Sequence, residues 1–136
     1  MTAASASVRA VDLLRRLVSF NTESKRSNRA LINFVADYLN GHGVAVRRAP
    51  NAAGDKEALY CTIGPQDRGG VLLSGHTDVV PVAGQVWTSD PYELRIADGR
   101  AYGRGAVDMK SFAALALAAI PDWLEAKFEG LDDDAD

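Results

Sequence analysis

Residues 71–81 read VLLSGHTDVVP, so polar groups directly follow a short apolar stretch. The apolar residues 71–73 do not alternate with polar ones, which is typical of a strand buried on both faces of a sheet. His76 and Asp78 would then follow the carboxyl end of that strand, where ligands bind in open α/β sheets. In extended backbone, two residues at this spacing point to the same side. The run therefore predicts a central strand with a candidate site at its end.

The flanking sequence predicts an α/β domain. Helical spacing of apolar residues predicts helices over 8–18, from Ser27 or Asn28 to about 41, and over 109–120, the last interrupted by Pro121. Strands are predicted to begin at 44 and to cover 58–63 and 70–74, and Asp98-Gly99 marks a hairpin. Helices interspersed with strands indicate a layered α/β fold, here with a mainly parallel sheet flanked by helices.

Composition excludes several classes of protein. An apolar fraction of 47% and a charged fraction of 24% are ordinary for a soluble protein. The net charge is −3, and five of the acids fall within 129–136. The rest of the sequence contains no basic stripe, so we expect no nucleic-acid partner. Cys61 is the only cysteine, which excludes an intrachain disulfide and a cysteine-rich zinc site. No signal peptide or membrane-spanning run is evident, so we expect a cytoplasmic protein without a membrane partner.

His76 and Asp78 allow two interpretations. A histidine that binds a metal through one ring nitrogen is commonly oriented by a carboxylate near its other nitrogen, and Asp78 could supply that carboxylate. Alternatively, His76 is a satisfied polar residue at a strand end and Asp78 forms a turn. The tripeptide alone leaves both interpretations open.

A second polar segment, residues 102–110, reads YGRGAVDMK and leads into the predicted third helix. Its two glycines permit a tight path, and Asp108 falls at the helix start. A carboxylate there can cap free amides and is favoured by the helix dipole. It could also bridge two cations, as two-metal hydrolytic sites require.

Other polar and aromatic residues have simpler expected roles. We expect His42 to be exposed in a turn that ends the second helix, and Arg104 to hold the loop by bonding carbonyls. Trp87 could shield the site or pack the long loop. Lys110 is expected to be solvated or ion-paired on its helix.

Together, residues 75–81, Trp87 and residues 103–110 resemble the dinuclear zinc amidohydrolases and peptidases. Within that family, the stretches 27–32, 62–65 and 81–91 are most similar to acetylornithine deacetylases. The resemblance implies that His76 binds one zinc ion and that Asp108 bridges two. It implies that Asp78 is the catalytic-site aspartate that orients His76, and that cobalt can substitute for zinc. Ser111 departs from the family pattern, which usually has glycine there.

The resemblance also implies a function for the intact enzyme. It would hydrolyse a small N-acyl amino acid, most closely N2-acetyl-L-ornithine to ornithine and acetate in arginine biosynthesis, and would form a homodimer. The alternatives within the class are succinyl-diaminopimelate desuccinylase or another peptidase of the family. An alternative from another class is a non-catalytic fragment, or a binding partner of a full-length homologue.

The expected metal site is incomplete in this sequence. Two zinc ions that share a bridge need about five ligand groups, and the family's Glu-Glu pair, which includes its general base, has no counterpart here. We therefore expect residues 1–128 to be the amino-terminal part of a zinc-hydrolase catalytic domain, followed by a disordered acidic tail over 129–136. The isolated chain is expected to be inactive and to associate through its unpaired strand.

Overall fold

A computed structural model describes residues 5–126, so the predicted acidic tail lies outside the described residues. This part of the chain is a mixed α/β structure with three helices and four short strands, which confirms the broad fold class. The elements are α1 (Ala6–Val18), α2 (Arg29–Gly41), β1 (Val46–Pro50), β2 (Glu57–Cys61), β3 (Arg95–Ala97), β4 (Arg100–Tyr102) and α3 (Lys110–Glu125). None of the helices within 5–126 combines the length and apolar character needed to cross a membrane.

The hydrophobic core lies mainly between α1 and α3. Helix α1 has apolar residues at helical spacing, and these form one buried face that includes Leu14, Leu17 and Val18. Helix α3 is rich in alanine and leucine, and it buries Ala114, Leu117 and three further residues. The first and third predicted helices therefore pack together although about ninety residues separate them in sequence.

Helix α2 packs beside an antiparallel pair of strands, β1 and β2, in which Val46 is opposite Cys61 and Pro50 is opposite Glu57. Asn28 occupies the position before α2, but its side chain makes no capping hydrogen bond. Its amide instead accepts a hydrogen bond from the Glu57 backbone N–H at 2.9 Å and donates one to the Glu57 carbonyl at 2.9 Å. The residue predicted to start the helix therefore also joins it to β2.

The hairpin predicted at Asp98-Gly99 is confirmed. Strands β3 and β4 pair antiparallel, and Ala97 lies opposite Arg100. Asp98 and Gly99 have φ angles of 51° and 70°, as expected for both central residues of a type I′ turn.

The predicted mainly parallel sheet is not confirmed, and the predicted strand over 70–74 is wrong for the described chain. Both strand pairs within 5–126 are antiparallel, and the parallel pairing recorded there is a single bridge between Glu23 and Val79. Val71 and Leu72 are 90% and 75% exposed. A doubly buried strand needs neighbours on both edges and layers on both faces. Within 5–126, residues 70–74 pair with no strand on either edge, and their side chains remain largely exposed.

The predicted interruption at Pro121 is also wrong, because α3 continues through it to Glu125. Proline lacks the N–H that would bond the carbonyl four residues earlier. That carbonyl, on Leu117, accepts a hydrogen bond from the Tyr38 hydroxyl at 3.1 Å. A side chain of α2 thus replaces the missing donor, which the local sequence could not reveal.

Candidate metal centre

The two polar segments meet at the His76 ring. Its Nε2 lies 3.1 Å from Asp108 Oδ1, although 32 residues separate them. Its Nδ1 lies 3.0 Å from the Asp78 carbonyl oxygen and 3.2 Å from Asp78 Oδ1. The structure therefore brings together all three residues selected from the sequence, with the imidazole between the two carboxylates.

The pKa of His76 reflects this position. Partial burial lowers the pKa, but hydrogen bonds to the Asp78 carbonyl and the Asp108 carboxylate, together with both carboxylate charges, raise it above its ordinary value. Each ring nitrogen faces an oxygen that can only accept. Because neutral imidazole has a single N–H, the second nitrogen needs either a proton or a metal cation.

The donor atoms suit zinc. Histidine nitrogen and carboxylate oxygen are ordinary zinc ligands, and two ligands about 2.1 Å from one tetrahedral ion lie roughly 3.4 Å apart. The 3.1 Å between His76 Nε2 and Asp108 Oδ1 is close to that separation. The side chains of both residues remain open to solvent, with exposed fractions of 46% and 78%. These two residues could therefore hold a metal ion in the way the sequence predicts.

The site within the described chain is not a complete metal cage. Among residues 5–126, no group of three or more histidine, cysteine and acidic side chains is arranged to hold a metal ion. The other histidine, His42, lies in the turn that ends α2 and bonds the Tyr38 carbonyl, as expected for a residue outside the site. Cys61 is partly buried, and burial raises the pKa of its thiol. Such a thiol is a poor nucleophile.

Close packing positions the backbone before Asp108, while the Asp108 side chain stays exposed and does not cap α3. Helix α3 has no side-chain cap, and the Asp108 carboxylate faces His76 instead. Gly105 has a φ of +82°, and a Cβ there would lie 2.8 Å from a methyl carbon of Val79. Glycine at this position therefore lets the chain before Asp108 approach the segment that follows His76.

Lys110 corrects the expectation of a solvated or ion-paired residue. It is 1% exposed, and its ammonium donates hydrogen bonds to the Leu17 and Phe20 carbonyls at 2.9 and 2.8 Å. Burial lowers the pKa of Lys110 to about 8. These carbonyls lie at and just beyond the end of α1, where backbone acceptors lack helical partners. Lys110 thus joins the first turn of α3, next to Asp108, to the end of α1.

The loop after α1 holds the segment around His76, and the sequence did not single this loop out. The Thr22 hydroxyl donates to the Thr77 carbonyl at 2.5 Å, and the Val79 N–H donates to the Thr22 carbonyl at 3.0 Å. The Ser24 N–H donates to the Val79 carbonyl at 3.1 Å. The polar residues of this loop were the signal available in the sequence. They did not reveal its role, because the residues that the loop contacts lie about 55 positions further along the chain.

Glu23 of the same loop holds the chain that follows Val79. The Glu23 carboxylate accepts hydrogen bonds from the Val82 N–H at 3.1 Å and from the Tyr92 hydroxyl at 2.8 Å. The Tyr92 bond is the main cause that lowers the pKa of Glu23. The pKa of Tyr92 is raised to about 12, mainly by burial and then by the hydrogen bond to Glu23 and the charge of its carboxylate.

A pocket of about 210 Å³ adjoins Asp108, and its lining includes Val80, Gly103, Arg104, Gly105 and Val107. Arg104 holds the long loop by bonding carbonyls, as expected: its backbone N–H donates to the Pro91 carbonyl at 2.6 Å, and its guanidinium donates to the side-chain carbonyl of Gln85. The guanidinium also lies 5.2 Å from the Trp87 ring centroid. These contacts favour loop packing as the role of Trp87.

Comparison with known protein families gives a match over the segment that contains the candidate site. Residues 72–130 match the family described as Peptidase family M20/M25/M40, and the matched range includes His76 and Asp108. This segment is therefore similar to that family, in agreement with the resemblance that the paired motifs predicted.

Individual proteins of known name show to which members the chain is similar. The chain is 37% identical over 120 residues to an acetylornithine deacetylase of Proteus mirabilis (strain HI4320), covering 82% of this chain and 30% of that protein. It is 39% identical over 103 residues to an acetylornithine deacetylase of Pasteurella multocida (strain Pm70), covering 75% and 27%. Its fold matches the crystal structure of human carnosine dipeptidase 1 with a TM-score of 0.64 and 27% identity, covering 85% and 30%. The chain thus spans less than a third of these relatives.

Proposed function

We propose that His76 and Asp108 bind a divalent metal ion and that Asp78 orients the His76 ring. The arrangement of oxygens on both sides of the imidazole carries this proposal. Asp78 accepts a hydrogen bond from Nδ1–H, which keeps the proton on Nδ1 and leaves the Nε2 lone pair for the metal. The exposed Asp108 carboxylate has the oxygens required to bridge two zinc ions, and cobalt is the expected substitute.

For the complete protein, we propose hydrolysis of the amide bond of a small N-acyl amino acid. The acetylornithine deacetylase relatives support N2-acetyl-L-ornithine as the substrate, with ornithine and acetate as products in arginine biosynthesis. A bound metal ion supplies Lewis-acid activation of water and of the amide carbonyl. His76 and Asp108 hold that ion, and Asp78 keeps the ring in the tautomer that can bind it.

A second candidate is hydrolysis of a dipeptide. The likeness to human carnosine dipeptidase 1 favours it, because 85% of this chain is covered at 27% identity. Assaying a full-length protein that contains this sequence against N2-acetylornithine and a set of dipeptides would separate the two substrates. Preferential turnover of dipeptides would contradict the deacetylase proposal.

We further propose that residues 70–74 pair within a mainly parallel sheet in the complete catalytic domain, that the complete enzyme is a cytoplasmic homodimer, and that it has no nucleic-acid or membrane partner. The non-alternating apolar residues 71–73 support the sheet, because a strand of this kind is stable only when both faces are covered.

The 136-residue chain alone is expected to be inactive towards N2-acetylornithine. Its sequence has no adjacent pair of glutamates, and His76 and Asp108 supply only two of the ligands that a two-metal site needs. The expected result is no turnover with added zinc or cobalt. Chelator-sensitive turnover by a preparation free of host deacetylase would contradict this expectation.

The metal proposal can be tested with the chain as it is. Calorimetric titration with zinc should show weak binding that is lost in His76→Ala. The only other histidine makes His42→Ala a matched control, because it removes an imidazole outside the site and should leave binding unchanged. Equal binding by the wild type and His76→Ala would overturn the proposed ligand set.

A further inference from the structure

We infer that Thr22 is a positioning residue for the metal centre: its hydroxyl fixes the peptide between His76 and Asp78. This inference rests on the proposed metal-binding function and extends it to a residue outside both motifs. The contact is short, since Thr22 Oγ1 donates to the Thr77 carbonyl oxygen at 2.5 Å.

Burial sets Thr22 apart from the other polar residues of its loop. It is 2% exposed, whereas Asn21 and Glu23 are half-buried and residues 24–27 are exposed. The Thr22 hydroxyl is buried and Thr77 is half-buried, so a hydroxyl that loses this bond has little water to replace it. The Thr22–Thr77 hydrogen bond therefore has a larger effect on local geometry than an exposed contact of the same length.

The bonded carbonyl is central to the site. Thr77 separates His76 from Asp78, and these residues are coupled through the contacts of His76 Nδ1 with the Asp78 carbonyl and carboxylate. Rotation of the Thr77 peptide would turn Asp78 away from the ring. The Thr22 hydroxyl resists that rotation from one side, while the Asn28 amide donates to Thr77 Oγ1 at 3.2 Å from another element.

The backbone of the loop provides a frame for this contact. The Thr22 carbonyl accepts from the Val79 N–H, and the Ser24 N–H donates to the Val79 carbonyl. The Ser24 hydroxyl also lies 3.1 Å from Asp78 Oδ2. These backbone bonds survive a change of the Thr22 side chain, so substitution can test the hydroxyl without removing the loop from the site.

The test uses Thr22→Val, which keeps the shape of the side chain and removes the donor, and Thr22→Ser, which keeps the donor. Cobalt binding is followed by its visible absorption spectrum. Removing the orienting partner of a metal ligand commonly costs 10–100-fold in affinity, and Thr22 acts one contact further away. We expect cobalt affinity to fall about three- to tenfold in Thr22→Val and to return to within about twofold of the wild-type value in Thr22→Ser.

A loss of overall stability must be separated from a change at the site. Ile32→Val truncates a buried side chain of α2 and serves as a control for a mild loss of stability. It should leave cobalt affinity unchanged. Wild-type affinity in Thr22→Val, equal loss in Thr22→Ser, or equal loss in Ile32→Val would each overturn the inference.

A metal-free measurement distinguishes failure of this inference from failure of the proposed function. Two-bond proton–nitrogen correlation spectra of the histidine rings report which nitrogen carries the proton. Thr22→Val should reduce the Nδ1-protonated form of His76 and leave His42 unchanged. An unchanged His76 spectrum would overturn the inference. If His76→Ala bound cobalt normally, the metal proposal would be wrong. The His76 spectrum would still report whether Thr22 positions the ring.

If Thr22→Val fails to fold, as judged by circular dichroism, Thr22→Cys takes its place. Cysteine keeps a comparable size and offers only a weak S–H donor. The same changes in cobalt affinity and in the His76 spectrum are expected. A wild-type result for the cysteine variant in both measurements would overturn the inference.

Discussion

Residues 70–74 and residues 77–82 are almost continuous in sequence but differ in how they are held. The first segment is exposed, and within residues 5–126 it has no strand beside it. The second forms hydrogen bonds with three consecutive residues of the loop after α1, which are Thr22, Glu23 and Ser24. The arrangement around His76 is therefore held by this loop and by the segment that leads into α3, without the predicted sheet.

The difference shows why apolar sequence alone does not determine burial. Leu117 of α3 is 7% exposed because it lies in the core formed with α1 and α2, whereas Leu72 is 75% exposed and lies outside that core. Both positions favour burial by residue type. What differs is whether the described chain supplies a complementary surface.

The largest expected effect comes from breaking the contact between the two motif segments. Gly105→Ala should cost about 2–4 kcal/mol of unfolding free energy, because the positive φ disfavours a side chain and the new Cβ would clash with Val79. Gly99→Ala is a matched control with a φ of +70° and open space around it, so it should cost only about 1–2 kcal/mol. Urea melts measure both. Equal losses would show that the Gly105–Val79 approach is unimportant.

Lys110→Met should come next in magnitude. It keeps the length of the side chain but removes the ammonium donor from the Leu17 and Phe20 carbonyls, and the Leu17 carbonyl then retains the Phe20 N–H at 3.3 Å. The loss should cost about 2 kcal/mol. Lys25→Met changes an exposed lysine of the neighbouring loop and should have no measurable effect. Stability equal to or above that of the wild type in Lys110→Met would show that the buried ammonium does not hold α1 and α3 together.

A smaller effect is expected from the anchor at Glu23. Tyr92→Phe should cost about 1 kcal/mol at neutral pH through loss of the hydrogen bond to Glu23. The pKa of Tyr92 is raised from 10.0 to about 12 in the folded state, so its contribution is complete below pH 10 and is lost as pH rises through 12. The pKa of Glu23 is lowered from 4.5, so its contribution is present above pH 4.5 and is lost as pH falls further.

The pH profile of stability provides the check. The difference in unfolding free energy between wild type and Tyr92→Phe should be largest between about pH 5 and 10 and should narrow on both sides. Tyr60→Phe is the control, because the Tyr60 side chain is 54% exposed and lies away from Glu23. A difference that is constant with pH would contradict the role given to the Tyr92–Glu23 bond.

The smallest expected effect on folding comes from the exposed segment. Leu72→Ser should change the unfolding free energy by less than about 0.5 kcal/mol, because Leu72 has little packing to lose. It should instead reduce concentration-dependent self-association of the chain, measured by light scattering after size exclusion. A loss above about 1 kcal/mol would show that residues 70–74 are packed in solution.

The sequence by itself determined the helical segments, the hairpin at Asp98-Gly99 and the three residues of the candidate site, because each has a local signal. Helical spacing, turn chemistry and the two polar segments are visible within short stretches. The family resemblance then linked His76 and Asp78 to Asp108 before their contacts were known.

Only the tertiary structure decided the partners of these elements. Tyr38 supplies the donor that lets α3 pass Pro121, Lys110 is buried against the end of α1, and Thr22 bonds the Thr77 carbonyl. Each of these contacts joins residues at least 55 positions apart, so no window of sequence contains both partners. For the same reason the apolar run at 71–73 did not determine its own burial, since a strand is stabilised by neighbours that its own residues do not specify.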